Sequence, residues 1–210
     1  MKQVKKMKNL ENLSYFNSTT ISQYVDIRRS SLFADMSRWL KSGILIQLKK
    51  GLYVTSNFYN RSADKNTYME FLANKLREPS YLSLEYVLQK YSIMTESVYS
   101  ITSITLKTGR VYNNGLGLFI YRNIKEELFT GFNIIERNGF IIKEATKSKA
   151  LFDWLYLKLL RIKEIDLELL KSFRLNLDSF KENDYRELKK YCKLADIKKY
   201  LNLPELIKNI

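Results

Sequence analysis

The chain is predicted to be an α+β protein in two parts, and three observations support this. Residues 16–55 hold two short stretches of helical spacing and then two short strand-like runs. Residues 98–144 switch to the two-residue alternation of β-strands. Residues 146–209 return to helical spacing. A small helical domain closed by a hairpin is therefore expected over 1–58. A small mixed domain with an antiparallel sheet and C-terminal helices is expected over 59–210.

At the N-terminus a first helix is expected over 2–14, with 10–14 open to a turn. Val4, Met7, Leu10 and Leu13 recur at spacings of three and share a face. The lysines on the other side can reach a phosphate or simply be solvated. A helix over 20–25 follows, with Ile21, Tyr24 and Val25 spaced as a buried stripe. A tight connection over 26–29 leads to a second helix over 30–42. There Leu32, Met36, Trp39 and Leu40 fall at i, i+4, i+7 and i+8, one face for a core. Ser30 is the expected N-cap, because its hydroxyl can accept from an orphan backbone N–H. Gly43 is the expected stop, because a left-handed turn is easiest for glycine. Phe33 is read first as packing against the preceding helix, and second as an apolar contact to a thymine methyl. Strands over 44–48 and 52–55, joined through Lys49-Lys50-Gly51, complete a winged helix-turn-helix.

Residues 56–65 read as a polar connection rich in Asn, Ser and Arg, and the domain boundary is placed there. A helix over 67–76 turns Phe71, Leu72 and Leu76 inward. Glu78-Pro79-Ser80 breaks it, since the residue before proline avoids the α region. Another helix is expected over 82–91. Strands over 98–107 and 117–122 are rich in Ile, Thr and Tyr, with a strand end and turn at 111–115. Residues 133–136 and 140–144 pair across Arg137-Asn138-Gly139, because Asn-Gly suits a hairpin turn. These strands are read together as one small antiparallel sheet. A helix over 146–160, capped by Thr146, places Leu151, Trp154, Leu155 and Leu159 at helical spacing. Further helices are expected over 166–173, 179–191 and 196–209.

The 210 residues include 36 Lys/Arg and 22 Asp/Glu, a net charge of +14. Ten of the basic residues and only three acids (Glu11, Asp26, Asp35) fall in 1–56, so half the surplus occupies about a quarter of the length. Such clustering favours a polyanion partner, nucleic acid before a membrane surface. The chain has no histidine and one cysteine, Cys192. This excludes an internal disulfide, a zinc finger by ligand count, and Ser-His or Cys-His catalysis. Cys192 reads as a partly buried spectator. No 18-residue apolar run spans a membrane, and no apolar signal core follows the basic N-terminus. A cytoplasmic protein without a cofactor is expected. Glu126-Glu127 are adjacent and diverge on a helix, and no other carboxylates are spaced to converge on a two-metal site. The chain is therefore read as a binding protein rather than an enzyme.

The second helix is expected to enter the major groove of duplex DNA. Its outward face presents Arg29, Ser31, Phe33, Ala34, Ser37, Arg38 and Lys41. Arg29, Ser31, Ala34 and Arg38 are expected to reach base edges, since arginine can bridge guanine O6 and N7 with two hydrogen bonds. Lys49 and Lys50 at the hairpin tip hold phosphates or probe the minor groove, and Arg28 can do either. The predicted DNA-binding set is thus Arg28, Arg29, Ser30, Ser31, Ala34, Arg38, Lys41, Lys49 and Lys50. RNA stays open, because basic charge does not distinguish it from DNA.

Several stretches together resemble one family. Pro79-Ser80-Tyr81-Leu82-Ser83-Leu84-Glu85 leads into Val98-Tyr99-Ser100-Ile101-Thr102-Ser103-Ile104-Thr105. Later come Ala145-Thr146, Lys149-Ala150-Leu151 and Asp153-Trp154-Leu155-Tyr156-Leu157. With the preceding helix-turn-helix, this resembles the AbiEi family over about residues 16–160. Its members are antitoxins and transcriptional regulators of AbiE-type (type IV) toxin–antitoxin systems, which act in phage defence by abortive infection. After Ala145-Thr146 many members have Pro-Glu, where this chain has Lys147-Ser148; residues 161–210 are unmatched. The resemblance implies that the N-terminal domain binds inverted repeats in its own promoter and represses the operon. It implies that the C-terminal domain opposes a cognate AbiEii-like nucleotidyltransferase toxin, generally without a stable complex. The residues alone leave a second reading, a stand-alone regulator whose C-terminal domain dimerises or senses a ligand. Lys149 and Asp153, four apart, read as a helix-surface ion pair worth about a few tenths of a kcal/mol, with partner binding the other reading. Tyr81, Tyr99 and Tyr156 read as half-buried packing, or as an interface.

Overall fold

The computed structural model describes residues 7–25 and 29–210. The chain is mixed α+β, with nine α-helices and nine strands among the described residues. It divides into two compact units. One holds the described residues up to Met69 together with Tyr112–Gly117, and the other holds Glu70–Val111 and Leu118–Ile210. No helix among the described residues is long and apolar enough to cross a membrane.

In the first unit, β1 (Phe16–Asn17) is followed by α1 (Ser18–Val25), α2 (Arg29–Lys41), β2 (Leu45–Lys49) and β3 (Leu52–Thr55). The strands form an antiparallel sheet in the order β1-β3-β2. At the start of α1 the Asn17 side chain accepts from Thr20 N at 2.8 Å. At the end of α2, Gly43 has φ +70. Its N–H reaches Leu40 O at 3.2 Å while Ile44 N–H reaches Trp39 O at 2.9 Å. This paired closure is the glycine-terminated helix end expected from the sequence. The core gathers Met7, Leu10, Phe16, Ile21, Val25, Leu32, Met36, Trp39, Leu45 and Tyr53.

Residues 10–12 form a short 3-10 turn, with Leu13 extended after it, the turn left open over 10–14; residues 2–6 lie outside the described residues. Three local expectations change in this unit. Tyr24 is 47% exposed, because α1 buries only a narrow stripe, Ile21 and Val25 one turn apart. Ser30 is not an N-cap, because α2 already begins at Arg29. Residues 56–61 are not plain connection but α3 (Ser56–Arg61), started by the Thr55 hydroxyl, which accepts from Phe58 N at 3.1 Å. Arg61 at its end donates to Glu11 O at 2.8 Å. The polar composition of 56–65 concealed a helix whose Phe58 ring packs 5.3 Å from Tyr68.

The longer helix α4 (Lys65–Leu76) buries Leu72 and Leu76 completely and Phe71 almost so, as its spacing predicts. The second sheet runs β6-β7-β5-β4-β9-β8, with β4 Ser80–Leu82, β5 Ser100–Thr105, β6 Arg110–Asn114, β7 Gly117–Asn123, β8 Phe132–Arg137 and β9 Phe140–Ala145. It is mixed, not antiparallel throughout. β4 pairs antiparallel with β5, and β8 with β9, but β5 runs parallel to β7 and β4 parallel to β9. Hairpin signals report only pairing between neighbours in sequence; the two parallel contacts join strands that are not neighbours, β5 with β7 across β6 and β4 with the distant β9. The β8–β9 turn uses Asn138 (φ 50) and Gly139 (φ 77), the backbone that Asn-Gly favours. The helix expected over 82–91 splits into β4 and α5 (Leu84–Lys90).

Helix α6 (Lys147–Leu159) starts on Thr146, whose hydroxyl accepts from Lys149 N at 3.1 Å. It is buried on nearly every side, with Ala150, Leu151, Phe152, Leu155 and Leu159 at 0% exposure. Helices α7 (Leu167–Ser172), α8 (Glu182–Leu194) and α9 (Leu203–Ile207) follow. The helix expected over 196–209 is a short turn at Lys198–Tyr200 and then α9, with Pro204 in its first turn.

Burial all round α6 overturns the reading of Lys149 and Asp153 as a surface pair. Both are fully buried and joined at 2.5 Å. Lys149 Nζ also donates to Leu128 O at 2.7 Å, and the Phe152 and Tyr191 rings lie 4.9 and 5.1 Å from it. Tyr81 and Ser83 hydroxyls donate to the other Asp153 oxygen at 2.9 and 2.8 Å. Burial pushes the Asp153 carboxyl above the usual carboxylate range, and the Lys149 ammonium pulls it back. Tyr81 and Tyr156 are buried rather than half-buried, whereas Tyr99 is 93% exposed.

Candidate nucleic-acid interface

An α-helix turns about 100° per residue. Ser30, Ala34, Ser37 and Lys41, at i, i+4, i+7 and i+11, therefore form a ridge along α2. All four are exposed, and Leu32, Met36 and Trp39 are buried opposite them. Ser31 and Arg38 flank the ridge on one side, with Ser31 half-buried and Arg38 exposed. Phe33 flanks it on the other side, 70% exposed. The expected packing of Phe33 does not occur, because its position falls on the solvent side of the helix. The ridge thus offers hydroxyls, a methyl, a phenyl ring and cations together, the chemical range that base edges and phosphates call for.

Of the nine predicted residues, Ser30, Ser31, Ala34, Arg38 and Lys41 share α2 with the backbone of Arg29 at its start; Arg28 lies outside the described residues. Arg38 has a partner that the periodicity did not reveal. Its Nη2 donates to Asp35 Oδ1 one turn back, and Asp35 is only 3% exposed. A guanidinium carries five N–H donors, so one anchored corner leaves the others for a base or phosphate. The tie holds Arg38 in place and partly offsets its charge.

Lys49 and Lys50 separate. Lys49 ends β2, half-buried and opposite Leu52, beside a register shift between Gln47 and Lys49. Lys50 is exposed at the tip, followed by Gly51 with φ +81, where a side chain would strain the turn. Asn114 Nδ2 donates to Leu48 O at 2.9 Å and braces this hairpin.

One basic surface escaped the sequence reading. On α8, Arg186, Lys189, Lys190 and Lys193 are exposed at i, i+3, i+4 and i+7, while Leu188, Tyr191, Cys192 and Ala195 are buried on the opposite side. Only Lys189 of the four has an ion-pair partner among the described residues, Glu205 at 3.3 Å. The same spacing count that found the α2 core face would have found this stripe. No family model matches the chain, and no curated protein matches it.

Proposed function

We propose that this chain is a DNA-binding transcriptional repressor of its own operon, with its first unit acting as a winged helix-turn-helix. The observation that carries this reading is the exposed α2 ridge of Ser30, Ala34, Ser37 and Lys41 with Phe33 and Arg38 beside it. In this reading α2 enters the major groove of inverted-repeat promoter DNA. Ser30, Ala34 and Phe33 meet base edges, Phe33 through an apolar contact to a thymine methyl. Arg38 holds a guanine edge or a phosphate, while Lys41, Lys49 and Lys50 neutralise phosphates.

The second half of the proposal rests on the AbiEi-like motifs: in the cytoplasm the second unit acts as an antitoxin against a cognate nucleotidyltransferase toxin. The motif residues Lys149, Ala150, Leu151 and Asp153 are buried. Their part in such a role is to hold the unit together, and the surface that opposes the toxin lies elsewhere on it. Two experiments separate the halves. Nuclease footprinting on the DNA upstream of the gene is expected to show protection over paired repeats; uniform cleavage would sink the repressor. Co-expression with an AbiEii-like nucleotidyltransferase toxin, sought among the genes beside this one, is expected to restore growth, and to do so equally with the Phe33→Ala/Lys50→Ala variant. No rescue by the unaltered chain would sink the antitoxin.

A further inference from the structure

The second unit holds a cavity of about 650 Å³ that neither half of this function uses. Ligand sites commonly fall between about 300 and 1,000 Å³, mostly apolar with a few convergent polar groups. Its floor is one face of the sheet. Leu118, Ile120 and Arg122 alternate along β7, and Ser100 and Thr102 of β5 stand opposite Leu118 and Ile120 in register. Trp154 of α6 and Glu85 of α5 form the wall, joined by a 3.1 Å hydrogen bond from Trp154 Nε1 to Glu85 Oε1. Lys158 Nζ lies 5.6 Å from the centre of a Trp154 ring. Tyr99 also lines the cavity, 93% exposed.

Two features mark this as a built site. Leu84, immediately before Glu85, has φ +61, a left-handed backbone that costs a branched residue free energy. That turn is held from several directions. Ser83 N–H donates to Thr102 O at 3.1 Å. Thr102 Oγ1 donates to Ser83 O at 2.6 Å and accepts from Tyr86 N at 3.1 Å. Ser83 Oγ donates to the buried Asp153. The strain is thus fixed where it sets Glu85 against Trp154. The second feature is charge: two cations, Arg122 and Lys158, share the lining with one carboxylate, Glu85. Among the described residues neither cation has a carboxylate partner, and Glu85 accepts only the Trp154 hydrogen bond.

We propose that this cavity binds a planar heteroaromatic anion of mononucleotide size. Its ring stacks on the exposed face of Tyr99, while the buried Trp154, packed edge-on with Phe173 at 5.1 Å, forms the wall beside it. Its anionic group meets Arg122 and Lys158, and an N–H of the ring meets the free oxygen of Glu85. Neither DNA nor a toxin is needed for this binding, so the test stands apart from the repressor and antitoxin readings.

The chain has two tryptophans, so Trp39→Phe leaves Trp154 as the sole reporter. The probes are the four ribonucleoside 5′-monophosphates, with adenosine and ribose 5-phosphate as controls. A saturable change in Trp154 fluorescence is expected with at least one monophosphate. Binding is expected to weaken at least about tenfold with Arg122→Ala, and likewise with the unphosphorylated nucleoside. Ribose 5-phosphate is expected to bind weakly, and Glu85→Gln to change which base binds best. If Trp39→Phe fails to fold, calorimetry on the unaltered chain makes the same comparisons. No saturable signal with any monophosphate would overturn the proposal. Binding unchanged by both Arg122→Ala and Glu85→Gln would overturn it equally.

Discussion

Phe33 and Arg38 sit on the same helix and separate binding from folding. Phe33 is 70% exposed, so Phe33→Ala is expected to change stability by no more than about 0.5 kcal/mol while lowering affinity for promoter DNA. Thermal melts beside binding isotherms check this; an unchanged isotherm would leave Phe33 without a role on DNA. Arg38 behaves differently because it is tied to the buried Asp35. Arg38→Ala is expected to cost about 1–3 kcal/mol on promoter DNA and blur sequence preference, and also to lower the melting temperature, since Asp35 loses its counter-charge. A lower melting temperature with unchanged affinity would reduce Arg38 to a structural residue. Cys192 is a third case. It is fully buried, and burial pushes its thiol up to about 12. A thiol reagent is expected to label it slowly in the folded chain and stoichiometrically after denaturation. Fast labelling of the folded chain would contradict that burial.

At the scale of elements, the Lys149–Asp153 pair decides how α6 is held. Lys149→Met leaves a buried carboxylate without its cation and is expected to destabilise the fold by about 3–5 kcal/mol. A surface pair would cost only about a few tenths. Burial already raises the Asp153 carboxyl above its unfolded value, and losing Lys149 raises it further. The neutral acid tolerates burial, so the loss is expected to be smallest at low pH and to grow as pH rises through the carboxylate range. Lys149→Met with Asp153→Leu is expected to recover part of the stability, short of the whole because Tyr81 and Ser83 lose their acceptor. Denaturant melts of both variants across that range test each expectation.

The same elements show what a one-dimensional reading reaches. The α2 core face, the Gly43 stop, the Thr146 cap and the Asn138-Gly139 turn were legible, because each depends on residues within a few positions of one another. The parallel pairing of β5 with β7 was not, since it skips the intervening β6 and joins strands whose alternation suits either direction. α3 was hidden by polar residues that face solvent. For the candidate site, periodicity gave the outward face of α2, Phe33 included, but not the anchor of Arg38. Periodicity assigns faces, not partners, and for the same reason it missed that Lys149 and Asp153 are enclosed.

Over the whole molecule the net charge of +14 serves more than one surface. The α2 ridge with the Lys50 tip belongs to the first unit, and the Arg186–Lys193 stripe belongs to the second. Phosphate neutralisation adds affinity through counterion release without regard to sequence, and only contacts at base edges carry sequence preference. Reversing charge with Arg186→Glu, Lys190→Glu and Lys193→Glu is therefore expected to weaken binding to all DNA alike and leave the preference for promoter DNA intact. Loss of that preference would place sequence reading in the second unit. The most direct test of the central claim is binding of the purified chain to its own upstream DNA against a shuffled duplex, across a salt series. With about five phosphates neutralised, selective binding is expected, with log affinity falling against log salt at a slope of about −4.5. Equal, weak binding to both duplexes, or a slope near zero, would contradict a DNA-reading role for α2.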